Sequence, residues 1–171
     1  MSETLKALQK FRDLVVTEAK ANLRSQGKDS SGKLSNSIEG TVKEMPNSIM
    51  LQFGMLPYGN FQDKGVSGTK KKYDTPYSYT TKMPPPSKLD KWIVRKGIAP
   101  RSKTGKFQSR KGIQFAIARS IFYNGIKPSL FFTKPFENAY KTLPDVLIDK
   151  YGLDAEQLLN QILDQNLKNI K

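Results

Sequence analysis

The residues of this chain that could do chemistry are mainly cations, and they are concentrated in the middle of the sequence. Residues 64–111 contain 14 lysines and arginines but only two acidic residues, Asp74 and Asp90. Because the whole chain has a formal net charge of +14, this segment holds nearly all of the excess. Such a local field attracts a polyanion or an acidic protein surface. Two basic loops predicted within the segment, the first over residues 64–72 and the second over residues 98–112, supply the candidate contact residues Lys64, Lys70, Lys71, Lys72, Arg101, Lys103, Lys106, Arg110 and Lys111.

Most catalytic and metal-binding chemistries lack their usual residues. The sequence has no cysteine and no histidine, which excludes disulfides, the standard zinc, haem and iron–sulfur ligands, and any nucleophile–histidine pair. Its 15 acidic residues are scattered, and the glycines between Gly65 and Lys70 do not have P-loop spacing. No stretch approaches 18 consecutive apolar residues. We therefore expect a protein that is not an enzyme, uses no cofactor or metal, and has no membrane partner.

Tyrosines near the basic residues leave a nucleic-acid-binding interpretation open. Tyr73, Tyr77 and Tyr79 could stack on bases while the lysines neutralise phosphates. The alternative is a pair of solvated loops whose aromatic side chains face the core. Composition favours this alternative, because charge runs are common on surfaces and no helix-turn-helix, zinc-finger or RNA-recognition signature occurs.

The N-terminal half is predicted to contain a long helix and a small antiparallel sheet. Apolar residues at three- and four-residue steps predict a helix over residues 3–25 with Ser2 as its N-cap. A short helix or turn follows at residues 34–38, and alternating apolar residues predict a hairpin around Pro46-Asn47. Residues 57–65 are predicted to form a short element with Tyr58 and Phe61 buried. Residues 73–79 suit another strand, which Pro76 would confine to an edge or interrupt.

The C-terminal half is predicted to be helical, which makes the fold class α+β: a small antiparallel sheet with an N-terminal helix and further helices packed on it, plus a C-terminal helix. Helices are expected at about residues 88–96, 113–123 and 133–151, the last with a kink or restart at Pro144. Gly152 is expected to end that helix and Asp154 to cap another. These boundaries predict one domain over residues 1–152 and a C-terminal amphipathic helix over 153–171. Leu158 and Ile162 on this last helix either pack on their own domain or contact another subunit.

Four segments, taken in order, resemble the tail completion or head–tail joining (neck) proteins of tailed bacteriophages. Residues 31–38 read SGKLSNSI and are similar to that family's T-G-x-L-x-x-S-I element, which also follows an N-terminal helix. Residues 57–65 read PYGNFQDKG and are similar to its Y-A-x-x-V-E-x-G-T element. Residues 84–92 resemble its proline stretch before a helix with a buried aromatic residue. Residues 117–136 resemble I-x-x-x-I-x-x-x-G-I-x-P-x-P-F-x-x-P-A, with Leu130 in place of the second proline.

The resemblance implies a structural virion protein, assembled in the host bacterial cytoplasm, that forms a homo-oligomeric ring at the head–tail interface. The ring would be six- or twelve-fold and would serve as a neck connector or as a tail completion or terminator protein. Its partners would be the adjacent portal or connector and tail-tube proteins, with genomic DNA passing through or beside it. The basic loops would either contact acidic surfaces of adjacent ring proteins or face DNA in the lumen. We favour the protein contacts, because cations that gripped DNA would hinder its exit. A free nucleic-acid-binding protein that uses the same loops is the alternative.

Overall fold

The computed structural model describes residues 2–46, 48–102 and 104–169, with side chains described as far as Gln161. The described residues form seven α-helices and one two-stranded antiparallel sheet, so the predicted α+β class is confirmed. The elements are α1 (Glu3–Ser25), α2 (Lys33–Ser37), β1 (Glu39–Met45), β2 (Ser48–Gly54), α3 (Tyr58–Lys64), a 3₁₀ turn (Pro86–Leu89), α4 (Asp90–Arg95), α5 (Arg110–Asn124), α6 (Thr133–Tyr140) and α7 (Leu143–Asn169). No helix within these ranges is long and apolar enough to cross a lipid bilayer.

The chain divides into two compact units whose segments alternate along the sequence. The first unit comprises Met1–Asn22, Asn36–Met55 and Phe131–Lys171, and the second comprises Leu23–Ser35 and Leu56–Leu130. Each unit is therefore built from segments that are distant in sequence. The boundary predicted at residue 152 falls inside α7.

An aromatic cluster forms the core of the first unit. The buried ring of Phe11 on α1 makes edge-on contacts with Phe53 on β2 and Phe136 on α6, with ring centroids 6.3 and 5.6 Å apart. The hairpin adds Ile49 and Leu51 to this cluster from the same face of β2 as Phe53. The hairpin and its half-buried alternation, predicted from the sequence, are thus confirmed.

Helix α7 is continuous from Leu143 to Asn169, so the predicted helix end at Gly152 is wrong. A glycine inside a helix costs only about 1 kcal/mol relative to alanine, and the surrounding residues outweigh that cost. Asp154 does not cap its own helix either. Its carboxylate accepts hydrogen bonds from the backbone N–H groups of Glu3 and Thr4, at 2.7 and 3.0 Å, and so caps α1 together with Ser2.

We expect Asp154→Asn to lower the melting temperature by a few degrees at pH 7. Hydrogen bonds from the N–H groups of Thr4 and then Glu3 hold the pKa of the Asp154 carboxyl below its ordinary value. A pKa that is lower in the folded state stabilises the fold above the unfolded pKa, about 4 for aspartate, and that stabilisation is lost as pH falls through the folded pKa. Thermal unfolding followed by circular dichroism should therefore show the difference from wild type shrinking below pH 4.

The exposed carboxylate of Glu156, on the same helix, provides the control for this measurement. Glu156→Gln removes the same charge but no helix cap, so its effect should be small. An equal and equally pH-dependent effect in both variants would contradict a specific cap by Asp154.

A close crossing of two backbone segments organises the second unit. Val66 and Ile126 exchange backbone hydrogen bonds, with N–O distances of 2.9 and 2.8 Å. Beside this pair, Gly68 and Gly125 lie so near each other's segment that a Cβ atom on either would overlap backbone atoms. Gly125 also has a φ of 72°, in the left-handed region that favours glycine. Because glycine has no Cβ atom, Gly68 and Gly125 thus allow the two backbone segments to touch.

Of the two alternatives for residues 73–79, the structure has the interruption at Pro76: the segment forms no strand among the described residues and makes only the single bridge between Ser67 and Ser78. Two further predictions in this region differ from the structure. Tyr58 and Phe61 are half exposed, because the short helix α3 buries its opposite side at Gly59. The predicted loop over residues 98–112 ends at residue 109, where the N-cap of α5 lies.

Leu130 has a φ of 52°, which the ring of proline cannot adopt. Its N–H group and that of Ser129 both donate to the carbonyl of Asp63 at 3.0 Å. This is the position where the family motif has its second proline. At this corner the backbone therefore follows a path that the motif's proline could not follow.

Candidate interaction surfaces

The first basic loop is held against the C-terminal end of α5. The backbone N–H groups of residues 69–71 donate to the carbonyls of Phe122 and Tyr123 at 2.9–3.1 Å. The last carbonyls of a helix have no partner within it, so the loop satisfies them. The side chains of Lys70, Lys71 and Lys72 are exposed on this fixed backbone, and Lys64 is exposed in the last turn of α3.

Aromatic rings lie beneath two of the loop's lysines. Lys70 Nζ is 4.8 Å from the ring centroid of Tyr123, and Lys71 Nζ is 5.5 Å from that of Tyr73. The guanidinium of Arg119 lies 5.5 Å from the Tyr123 ring as well. Rings that already carry a cation offer less surface to a nucleic-acid base. Sequence reasoning missed Arg119, although its spacing of four residues from Tyr123 within a helix is a signal that identifies it.

The second basic loop is a tight turn closed by Arg101 and Phe107. These two residues form a backbone bridge, and the guanidinium of Arg101 lies 4.0 Å from the ring centroid of Phe107. Ser102 N–H donates to the carbonyl of Lys106 at 2.8 Å within the turn. The side chain of Lys106 is exposed, and Lys103 lies outside the described residues.

The structure does not bring the predicted basic residues together in one patch. Arg110 and Lys111 lie in the first turn of α5, after the N-cap Ser109, and Arg110 is 3.7 Å from the carboxylate of Asp90. Residues 69–71 bind at the other end of this 15-residue helix. At 1.5 Å per residue, the two ends of α5 are about 20 Å apart. The two predicted contact loops are therefore separate surfaces.

Helix α7 carries an exposed apolar stripe that includes Leu158. Ile148, Tyr151 and Leu158 are 73%, 70% and 58% exposed, and their spacing of three and seven residues puts them on one side of the helix. Leu158 was expected either to pack on its own domain or to contact another subunit. In the structure its side chain is not buried by the rest of the chain. Ile162 has the next position in this spacing, and its side chain lies outside the described residues.

A row of acidic side chains runs beside this stripe. Asp145, Asp149 and Glu156 are all exposed, and their spacing of four and seven residues places them on one face of α7. The exposed side of α7 is therefore both apolar and acidic. We call the two rows together the α7 face.

A cleft of about 710 Å³ in the second unit was not predicted from the sequence. The aromatic side chains of Tyr58 and Trp92 contribute to its apolar lining. Its charged lining consists of Lys28, Arg95, Lys96, Lys127 and Asp29. No local signal in the sequence relates residues 28, 95 and 127, because only the tertiary fold brings them to one cleft.

Hydrogen bonds to the protein hold the cations of the cleft in place. Arg95 Nε donates to Ser30 Oγ at 2.9 Å, and Lys96 Nζ donates to the carbonyl of Gly27 at 2.8 Å. Burial, and then the nearby charge of Lys127, lower the pKa of Lys28. Asp29 Oδ1 is buried and accepts no hydrogen bond from any described residue. The cleft thus combines excess positive charge with an unused acceptor.

Neither a metal centre nor a known relative identifies the function. Within the described ranges there is no group of three or more acidic residues that could hold a metal ion. The chain matches no protein-family model, no curated protein and no solved structure. The surfaces themselves therefore carry the functional argument.

Proposed function

We propose that this protein is a structural virion component that forms a homo-oligomeric ring at the head–tail interface of a tailed bacteriophage. It acts there as a neck connector or as a tail completion or terminator protein, and it joins the head to the tail. The ordered sequence elements at residues 31–38, 57–65, 84–92 and 117–136 support this assignment through their resemblance to that family.

The structural observation that carries the proposal is the apolar stripe on α7. Large apolar patches on a monomer mark sites of protein–protein contact, because burying them against a partner is favourable by roughly 25 cal/mol per Å². Ile148, Tyr151 and Leu158 are each more than half exposed. A helix with such a stripe is suited to an interface between subunits, as a ring requires.

Electron microscopy and light scattering test the proposal. Purified protein should form closed rings of six or twelve copies in negative stain, with a matching mass by light scattering after size-exclusion chromatography. Antibodies against the protein should label virions at the junction of head and tail. A strictly monomeric protein that is absent from particles would contradict the proposal.

Nucleic-acid binding is the second candidate function, and the exposed lysines at residues 70–72 are the observation that favours it. Phosphate contacts of this kind weaken steeply with salt. The separation of the two basic loops by the length of α5, and the cations over Tyr73 and Tyr123, count against a single base-stacking surface.

A mobility-shift assay at about 150 mM salt separates the two candidates. For the ring protein we expect weak, salt-sensitive binding that changes little in affinity when Lys70, Lys71 and Lys72 are replaced by glutamate. The control replaces Lys10, Lys43 and Lys134, which are also exposed, and so makes the same change in net charge. Tight binding that only the first triple variant abolishes would support the nucleic-acid-binding function instead.

A further inference from the structure

We propose that the α7 face of one copy docks into the second-unit cleft of a neighbouring copy. The apolar stripe would enter the cleft, and the acidic row would lie against its cations. This inference rests on the proposed ring, because it names the contact between successive subunits.

The two surfaces are complementary in charge. The acidic row on the α7 face, Asp145, Asp149 and Glu156, carries three negative charges, and Lys150 Nζ lies 3.5 Å from the carboxylate of Asp149. The cleft carries four cations against one acid, a net charge of +3. Opposite potentials of this kind guide association and fix the register of the two partners.

The two surfaces are also complementary in apolar character. The cleft has Tyr58 and Trp92 in its lining. An amphipathic helix binds a groove through a few anchors spaced three, four or seven residues apart. Ile148, Tyr151 and Leu158 supply anchors at that spacing, and the aromatic ring of Tyr151 is of the type that dominates interface energetics.

Two features of the cleft fit the α7 face as its occupant. Asp29 Oδ1 has no hydrogen-bond donor among the described residues, and the phenol of Tyr151 in the stripe would supply one. Lys28 is half-buried, and its Nζ donates to the backbone carbonyl of Lys127 at 3.4 Å, while the charge of Lys127 helps to lower the pKa of Lys28. A carboxylate from the acidic row would neutralise this local repulsion.

Pairing of α7 with another α7 is less favourable than docking into the cleft. In such a pair both helices would bring their acidic rows, with three carboxylates each, to one interface. Like charges across an interface are destabilising. Contact between two different surfaces also has a structural consequence: repeated from copy to copy, it builds a ring or a filament rather than a closed dimer.

Charge reversal on either side tests the docking. The cleft variant is Arg95→Glu with Lys127→Glu, and the helix variant is Asp149→Lys with Glu156→Lys; all four side chains are exposed, so both variants should fold. We expect each variant to weaken self-association by at least about tenfold in sedimentation velocity. An equimolar mixture of the two variants, or one chain that carries all four changes, should restore association.

A matched control and a cross-link make the result specific. Lys82→Glu with Lys88→Glu changes the charge of the same unit by the same amount outside the cleft and should leave association unchanged. Because the chain has no cysteine, one copy with Tyr151→Cys and another with Lys127→Cys, co-expressed, should give a heterodimer with a short bismaleimide. A copy with Lys82→Cys in place of Lys127→Cys should not.

The outcomes distinguish this inference from the proposed function. Rings that persist in both reversed variants would overturn the docking and leave the ring proposal standing. Rescue of association by the mixed variants, in a protein that forms no ring and is absent from virions, would support the docking and overturn the proposed function. A wild-type protein that stays monomeric at every concentration would overturn both.

Discussion

Gly125→Ala should lower the free energy of unfolding of the second unit by at least about 3 kcal/mol. Gly125 has a φ of 72°, which costs a residue with a side chain roughly 1–2 kcal/mol. A Cβ atom there would also overlap the carbonyl of Val66 and lie 2.6 Å from the N atom of Gly68. These are backbone atoms that the paired segments at Val66 and Ile126 hold in place, so they cannot move away cheaply.

Alanine substitutions at two other glycines separate the cost of a positive φ from the cost of steric overlap with the Cβ atom. Gly97→Ala introduces a side chain at a φ of 63° with nothing within 4 Å, so it should cost only about 1–2 kcal/mol. Gly152→Ala, in the exposed interior of α7 with equally open space, should stabilise by up to about 1 kcal/mol. Urea unfolding followed by the fluorescence of Trp92, the single tryptophan, reports on the second unit.

Equal effects of Gly125→Ala and Gly97→Ala would show that the backbone crossing is not close. Far-UV circular dichroism follows Gly152→Ala, and a loss of stability in that variant would contradict a continuous α7.

Local patterns in the sequence predict the elements whose contacts are local. The periodicity of α1, the capping by Ser2 and the alternation around Pro46 predict those elements correctly, because each depends on residues within a few positions. The continuity of α7 through Gly152 depends instead on the rest of a 27-residue helix and on contacts with residues 150 positions away, such as that of Asp154 with Thr4. The tendency of Gly152 to end a helix was weaker than the stabilisation that these contacts and the rest of the helix supply.

The division into two units could not be predicted in the same way. Phe11, Phe53 and Phe136 come from three distant segments, and only the assembled core shows that they belong together. Apolar periodicity says which side of an element is buried. It does not say which other element covers that side.

The candidate surfaces also differ in how far the sequence predicts them. The exposure of Leu158 was one of two alternatives, because a terminal amphipathic helix can pack on its own domain or contact another subunit. The cleft could not be predicted from the sequence. Two of its cations, Lys28 and Lys127, lie outside the basic segment of residues 64–111, one before it and one after it. The spacing of four residues between Arg119 and Tyr123 in a helix could have identified Arg119. No such spacing rule relates residues 28, 95 and 127.

The structure changes the meaning of the basic excess in residues 64–111. Part of it lies at one end of α5, part at the other end about 20 Å away, and Arg95 and Lys96 line the cleft. Cations that are divided between the two ends of a helix and a cleft are better suited to several protein contacts than to one continuous track for a nucleic acid. This distribution supports the proposed assembly role more than the alternative of nucleic-acid binding.

Phe11→Ala should lower the free energy of unfolding by about 3–5 kcal/mol, the cost of emptying a well-packed aromatic site. Phe11 is only 6% exposed, and the cluster that it joins also contains Leu143 and Leu147 at the start of α7. The cavity should therefore loosen the helix that carries the apolar stripe and weaken self-association as well. Leu14→Ala, on the same helix but 48% exposed, is the matched control and should cost less than about 1 kcal/mol. Equal losses in the two variants, measured by urea unfolding and sedimentation velocity, would contradict this account, because the loss depends on burial against the hairpin and α7 rather than on a position in α1.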